Sequence, residues 1–115
     1  MMIHRRLGPG LLESVYQRIL VYELRKVGLT VKKEVPIPVE WDGHVIEDSF
    51  RADLIVDSTV LVELKSIEAT SAVHRKQVLT YLKLSDLRVG LLINFGAAYL
   101  KDDLHRLAND VKESS

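Results

Sequence analysis

The sequence predicts an α/β domain with elements in the order α-β-β-β-α-β-α, a mixed sheet flanked by helices. Three observations carry that prediction. Apolar residues recur at helical spacing in three stretches, 11–28, 72–84 and 100–111. Four strand-like runs lie between them, at 29–39, 45–56, 60–66 and 88–95. A single helix separates the last two runs, the signature of a right-handed crossover between parallel strands. At 115 residues the chain makes one domain, with 1–9 and 112–115 read as flexible ends.

Taken in order, Met1 to Leu7 is short and basic, and Gly8-Pro9-Gly10 breaks whatever precedes it. From Leu11, the residues Leu12, Val15, Ile19 and Leu20 follow helical spacing toward Gly28, a C-terminal stop. Glu13, Tyr16 and Gln17 share one face of that helix, and Tyr16 reads as core. Val31, Val35, Ile37 and Val39 then alternate as a strand. Pro36 and Pro38 cannot donate to a ladder, so this strand belongs at an edge. Asp42-Gly43 signals a hairpin into the second strand, and Asp57-Ser58-Thr59 turns that strand into the third. The helix Ala72 to Leu84 buries Val73, Val78, Leu79 and Leu82 and carries His74, Gln77 and Tyr81 as a polar stripe. Val89, Leu91, Leu92 and Ile93 make a strand apolar on both faces. A last amphipathic helix through Leu100, Leu104, Leu107 and Val111 ends in the polar Lys112-Glu113-Ser114-Ser115.

Composition narrows the function classes. Sixteen basic and sixteen acidic side chains cancel, so a nucleic-acid partner must be held by a local patch. Arg25, Lys26, Lys32, Lys33, Arg75, Lys76 and Lys83 are the candidates for it, and no aromatic-basic stacking platform stands out. The absence of cysteine excludes disulfides and thiolate metal sites and fits a reducing compartment. No apolar run approaches the ~18 residues of a membrane span, and no secretory leader opens the chain. A cytoplasmic protein without a membrane partner is expected.

Chemistry concentrates on the third strand, Val60-Leu61-Val62-Glu63-Leu64-Lys65-Ser66. Val60, Val62 and Leu64 form one apolar face; Leu61, Glu63 and Lys65 form the other. Glu63 and Lys65 thus stand ~7 Å apart along the strand. If Asp57 to Thr59 form the hairpin loop, Val56 pairs with Val60 and Asp53 falls opposite Glu63. Two acids and a lysine at one spot suit a phosphodiesterase: the acids hold a hard divalent cation, and the lysine positions water or offsets phosphate charge. Glu-x-Lys alone is weak, because solvent-facing strands commonly alternate charged and apolar residues.

The arrangement of Asp53 and Glu63-Leu64-Lys65 on consecutive strands resembles the PD-(D/E)XK nuclease superfamily. More narrowly, Gly10-Leu11-Leu12-Glu13-Ser14-Val15-Tyr16 resembles the signature of the GxxExxY family. The stretches 51–56, 62–66, 74–82 and 90–96 are similar to that family in the same order. Ala52 stands where the superfamily motif has proline, and the segment before Leu7 is short for the family. The resemblance implies Asp53 and Glu63 as principal ligands of Mg²⁺ or Mn²⁺, with the Leu64 backbone carbonyl completing the site and Glu13 as an additional acid. It implies Lys65 as the catalytic lysine and Gln77 as a polar helper, with Tyr81, His74 and Tyr16 as possible substrate contacts.

Two functions follow from this reading. One is a metal-dependent nuclease cleaving DNA or RNA by a metal-activated water. The other is a nucleic-acid-binding or protein-interaction module that keeps the nuclease fold without turnover, since fold alone does not establish function. A homodimer is a reasonable expectation where both strands of a duplex must be reached.

Overall fold

The chain folds as α1 (Met2–Leu7), α2 (Glu13–Lys26), β1 (Val31–Trp41), β2 (His44–Val56), β3 (Val60–Lys65), α3 (Ala72–Ser85), β4 (Val89–Asn94), a 3-10 turn (Leu100–Asp103) and β5 (Leu104–Ala108). This is seen in a computed structural model that describes residues 2–9 and 11–109. The strands form one sheet in the order β1-β2-β3-β4-β5. β3 and β4 are parallel, from Val60↔Val89 to Lys65↔Asn94, as the crossover through α3 requires. The other neighbours are antiparallel. β3 is therefore the middle strand, and what it carries is enclosed on both sides.

Each sheet face has its own core. Tyr16, Leu20 and Val21 of α2 pack with Leu54, Val62, Leu64, Ile93 and Phe95. Val78, Tyr81 and Leu82 of α3 pack with Ala52, Leu61 and Leu92. The alternation expected of β3 is thus observed, with Val62 and Leu64 toward α2 and Leu61 toward α3. Each such burial contributes about 1.5–3 kcal/mol. Asp42 and Gly43 both adopt positive φ at the β1–β2 hairpin, as the Asp-Gly signal predicts.

Three expectations are corrected. The last element is not a helix. Leu104 and Leu107 are spaced as on a helix, but the chain makes a 3-10 turn and then pairs with β4, from Ile93↔Leu104 to Val89↔Ala108. Pairing covers the open edge of a buried strand, and that outweighs a weak helical period. Val111 and the polar tail 112–115 lie outside the described residues. The opening segment is a helix, α1, whose Ile3 joins the α2-side core. Its His4 is also buried, with Nε2 2.9 Å from the Ala97 carbonyl oxygen. Finally, β1 does not keep one face throughout: Val31 packs on the α2 side but Ile37 on the α3 side. The switch falls at Glu34, a non-glycine residue at φ 52°. Ala52 and Leu54 of the paired strand divide in the same way around Asp53.

Candidate active site

The β2–β3 ladder runs from Val56↔Val60 through Ile55↔Leu61 to Leu54↔Val62. The Val56–Val60 pairing is the one the hairpin spacing predicts. At the next position carboxylates replace the backbone ladder. The Asp53 N–H donates to Glu63 Oε1 at 3.1 Å. The Leu64 N–H donates to Asp53 Oδ2 at 2.7 Å. The freed Asp53 carbonyl accepts from Gln17 Nε2 of α2 at 3.1 Å. Asp53 and Glu63 are therefore locked to each other's strands, and α2 holds the opening from above.

This opening forms part of the wall of a cleft of about 890 Å³ beneath the N-terminus of α2. Asp53, Leu64, Ser66 and Gln17 line it, and so do three further acids, Glu13, Glu34 and Glu68. Glu63 is 5% exposed. Burial, and then repulsion by Asp53, push its carboxyl up to about 8, although the Asp53 N–H and the Lys65 ammonium pull the other way. Burial also raises Asp53. The Leu64 N–H opposes that shift, the charges of Glu34 and Glu13 add to it, and Lys65 opposes it again. A raised pair is what two buried acids sharing a site should show when the one nearby ammonium, that of Lys65, does not offset their burial and repulsion. A divalent cation fits such a donor set, because it favours the ionised forms that burial and repulsion disfavour. Among the described residues, no group of three or more His, Asp or Glu side chains is drawn tightly enough to hold an ion.

Other candidates fall at varied distances from this centre. Glu13 opens α2 and lines the cleft, exposed, and its charge reaches both Asp53 and Glu63. Tyr81 is buried on α3, 5.1 Å ring to ring from Phe50. Its hydroxyl pKa is raised by burial and then by Glu63 and Asp53, so it lies within reach of their field. Gln77 is exposed on α3 and is not part of the cleft wall. His74 belongs to the helix cap, its Nδ1 accepting the Ser71 N–H at 2.9 Å. Tyr16 is fully buried and stacks on Phe95 at 4.3 Å. Its hydroxyl donates to the Gly8 carbonyl and accepts the Leu11 N–H, so it holds the loop leading into α2 from the core side. Gly10 of the signature lies outside the described residues.

The sequence places Gln17 on the helical face of Glu13 and Tyr16 without assigning it a role, and it gives Glu34 no place at all. The shared face with Glu13 is the signal that marks Gln17. Glu34 carried none, because its entry into the cleft follows from a backbone conformation rather than from a pattern.

A family model of the PD-(D/E)XK nuclease superfamily matches residues 1–107. No curated protein and no solved structure matches the chain. The chain belongs to the PD-(D/E)XK nuclease superfamily.

Proposed function

We propose that this superfamily member is a nuclease that hydrolyses phosphodiester bonds of DNA or RNA with Mg²⁺ or Mn²⁺. The observation that carries the reading is the interrupted ladder. Two carboxylates, Asp53 and Glu63, take the place of backbone pairing in mid-sheet beside Lys65. Such an arrangement destabilises the fold unless it serves a ligand, since both groups are pushed toward protonation. Asp53, Glu63 and the Leu64 carbonyl would hold the cation, with Glu13 as an outer acid. The cation would supply Lewis acidity and countercharge for the phosphate.

The chain's own residues do the rest. The cleft wall is acidic, through Glu13, Glu34 and Glu68, so an anionic substrate needs local positive charge to enter. Lys65 supplies it, orienting the attacking water and offsetting charge that builds on the phosphate. Gln17 fixes the Asp53 peptide and thereby the direction of its carboxylate. The narrower GxxExxY placement belongs to this reading, with Glu13 and Tyr16 as its residues. A cytoplasmic location belongs to it as well.

Titration of Mn²⁺ into the protein by calorimetry tests the metal site. Saturable binding is expected, and it should be lost in Asp53→Ala and in Glu63→Ala. That no three acids are drawn together tightly among the described residues favours a second reading, in which the fold binds nucleic acid or a protein without turnover. Lys65→Ala separates the two: it abolishes cleavage by a nuclease and leaves the function of a binding module intact.

A further inference from the structure

A second concavity, of about 500 Å³, lies on the other flank of α2 and is lined by Arg18, Val21, Tyr22, Arg25, Lys26 and Lys33. Four cations converge there in a chain of zero formal charge. In their midst Tyr22 is 64% exposed, leaving its ring open to a ligand; Trp41 and Tyr99 are as exposed, but neither lines this concavity. Arg18, Tyr22 and Arg25 stand at i, i+4 and i+7, so they share one helical face. The Arg25 guanidinium is fixed on the Val31 carbonyl at 2.8 Å. Lys26 reaches over the Tyr22 ring at 5.9 Å, with Glu23 at 3.9 Å as its acidic neighbour. Arg18 and Lys33 make no ion pair among the described residues.

This basic concavity adjoins the acidic cleft. On α2, Gln17 lines the cleft and Arg18 the basic surface; on β1, Glu34 lines the cleft and Lys33 the basic surface. Consecutive residues of two elements thus divide between the two concavities. One chain of phosphates could run across that junction, held by charge on one side and presented to Asp53 and Glu63 on the other.

We infer that the α2–β1 surface is a binding site for single-stranded nucleic acid, with one base stacked on Tyr22 and flanking phosphates on Arg18, Arg25, Lys26 and Lys33. Single strands bind to surfaces that combine a cationic track with an exposed aromatic ring, whereas a base inside a duplex has both faces already stacked on its neighbours. The inference deepens the nuclease reading by naming the strandedness of its substrate.

Fluorescence anisotropy with a labelled single-stranded oligothymidylate and its duplex, both in EDTA, tests it. The wild type is expected to prefer the single strand. Arg18→Glu combined with Lys33→Glu should weaken binding at least tenfold and lower the salt slope by about 1.4, from roughly 0.7 per lost phosphate contact. Tyr22→Leu should cost about fivefold or more on the single strand and leave duplex binding unchanged. Equal single-strand affinity in wild type and the charge-reversed variant overturns the site. Duplex preference, or capture by anionic vesicles but not by the oligonucleotide, overturns it too. Binding that follows these expectations without any cleavage in Mn²⁺ supports the site while refuting the nuclease. Cleavage unaffected by the patch variants does the reverse.

Discussion

Two groups of buried carboxylates in this fold have opposite surroundings. Glu63 sits against Asp53, and burial with mutual repulsion pushes it up to about 8. Asp103, also buried, lies beyond the far end of β4. Burial raises it as well, but the Thr70 hydroxyl, the Asn94 amide, the Thr70 N–H and His105 outweigh that and hold it at about 2. Thr70 N and Asn94 Nδ2 donate to Oδ2 at 2.7 and 2.9 Å, and His105 Nε2 lies 2.9 Å from Oδ1. Asn94 in turn pairs with both polar atoms of the Ile67 peptide, at 3.0 and 2.9 Å. Gly96 allows that closeness, since a Cβ there would lie 2.1 Å from the Ile67 carbonyl oxygen. One acid has been surrounded with donors and clamps the segment after β3. The other pair has been left short of positive charge, which is the condition of a site awaiting a ligand.

The contrast breaks most visibly at Asp103. Asp103→Ala leaves the Thr70 N–H, the Thr70 hydroxyl and one of the two Asn94 amide hydrogens without their acceptor, the other remaining on the Ile67 carbonyl. We expect a loss of about 4 kcal/mol in denaturant unfolding, because hydrogen bonds to a buried charge are strong and their orphans costly. The folded carboxyl titrates near 2, below its ordinary value of 3.8. The clamp's contribution is therefore complete above about pH 4 and fades as pH falls toward 2. A loss below about 1 kcal/mol would mean that Asp103 does not anchor the segment after β3.

Glu63 should behave in the opposite sense. The folded state keeps its proton up to about pH 8, while the unfolded chain releases it near 4.5. Between those values the folded state holds more protons, so stability in EDTA falls as pH rises through the window. Glu63→Gln should flatten that dependence and make the protein more stable than wild type at pH 8, by up to about 4 kcal/mol, with a difference of no more than about 1 kcal/mol at pH 5. Thermal unfolding at both pH values measures it. A variant less stable than wild type at pH 8 would show that the carboxylate is already compensated.

Much of this was readable from the sequence, for a physical reason. Val60 to Lys65 is short, flanked by a three-residue turn, and buried on two faces; alternation and loop length therefore leave one register, which brings Asp53 to Glu63. The features that escaped depend on contacts between distant segments. Leu104 and Leu107 read as helical because their spacing is local, while the need of β4 for a partner is not. Glu34 enters the cleft through a positive φ that no pattern marks. Asn94 is a single polar residue at the end of an apolar strand and Asp103 one charge in a polar run nine positions on, and only the turn between them makes a clamp. Tyr22 carries no local mark either, since Lys33, which lines the same concavity, comes from β1 eleven positions on.

His74 lies between the two regions and gives the smallest expected effect. It follows Thr70, which belongs to the clamp, and it starts the stripe that leads to Tyr81 near the carboxylates. Its Nδ1 is taken by the Ser71 N–H, and the His74 N–H donates to the Ser71 carbonyl at 3.1 Å. That is a capping arrangement, and the helix it starts carries Val78, Tyr81 and Leu82 into the α3-side core. His74→Ala should therefore cost about 1 kcal/mol of stability, the usual value of a lost cap. It should leave Mn²⁺ affinity by calorimetry unchanged. If metal affinity falls while stability holds, His74 belongs with Asp53 and Glu63, and the boundary between clamp and site moves one helical turn toward α3.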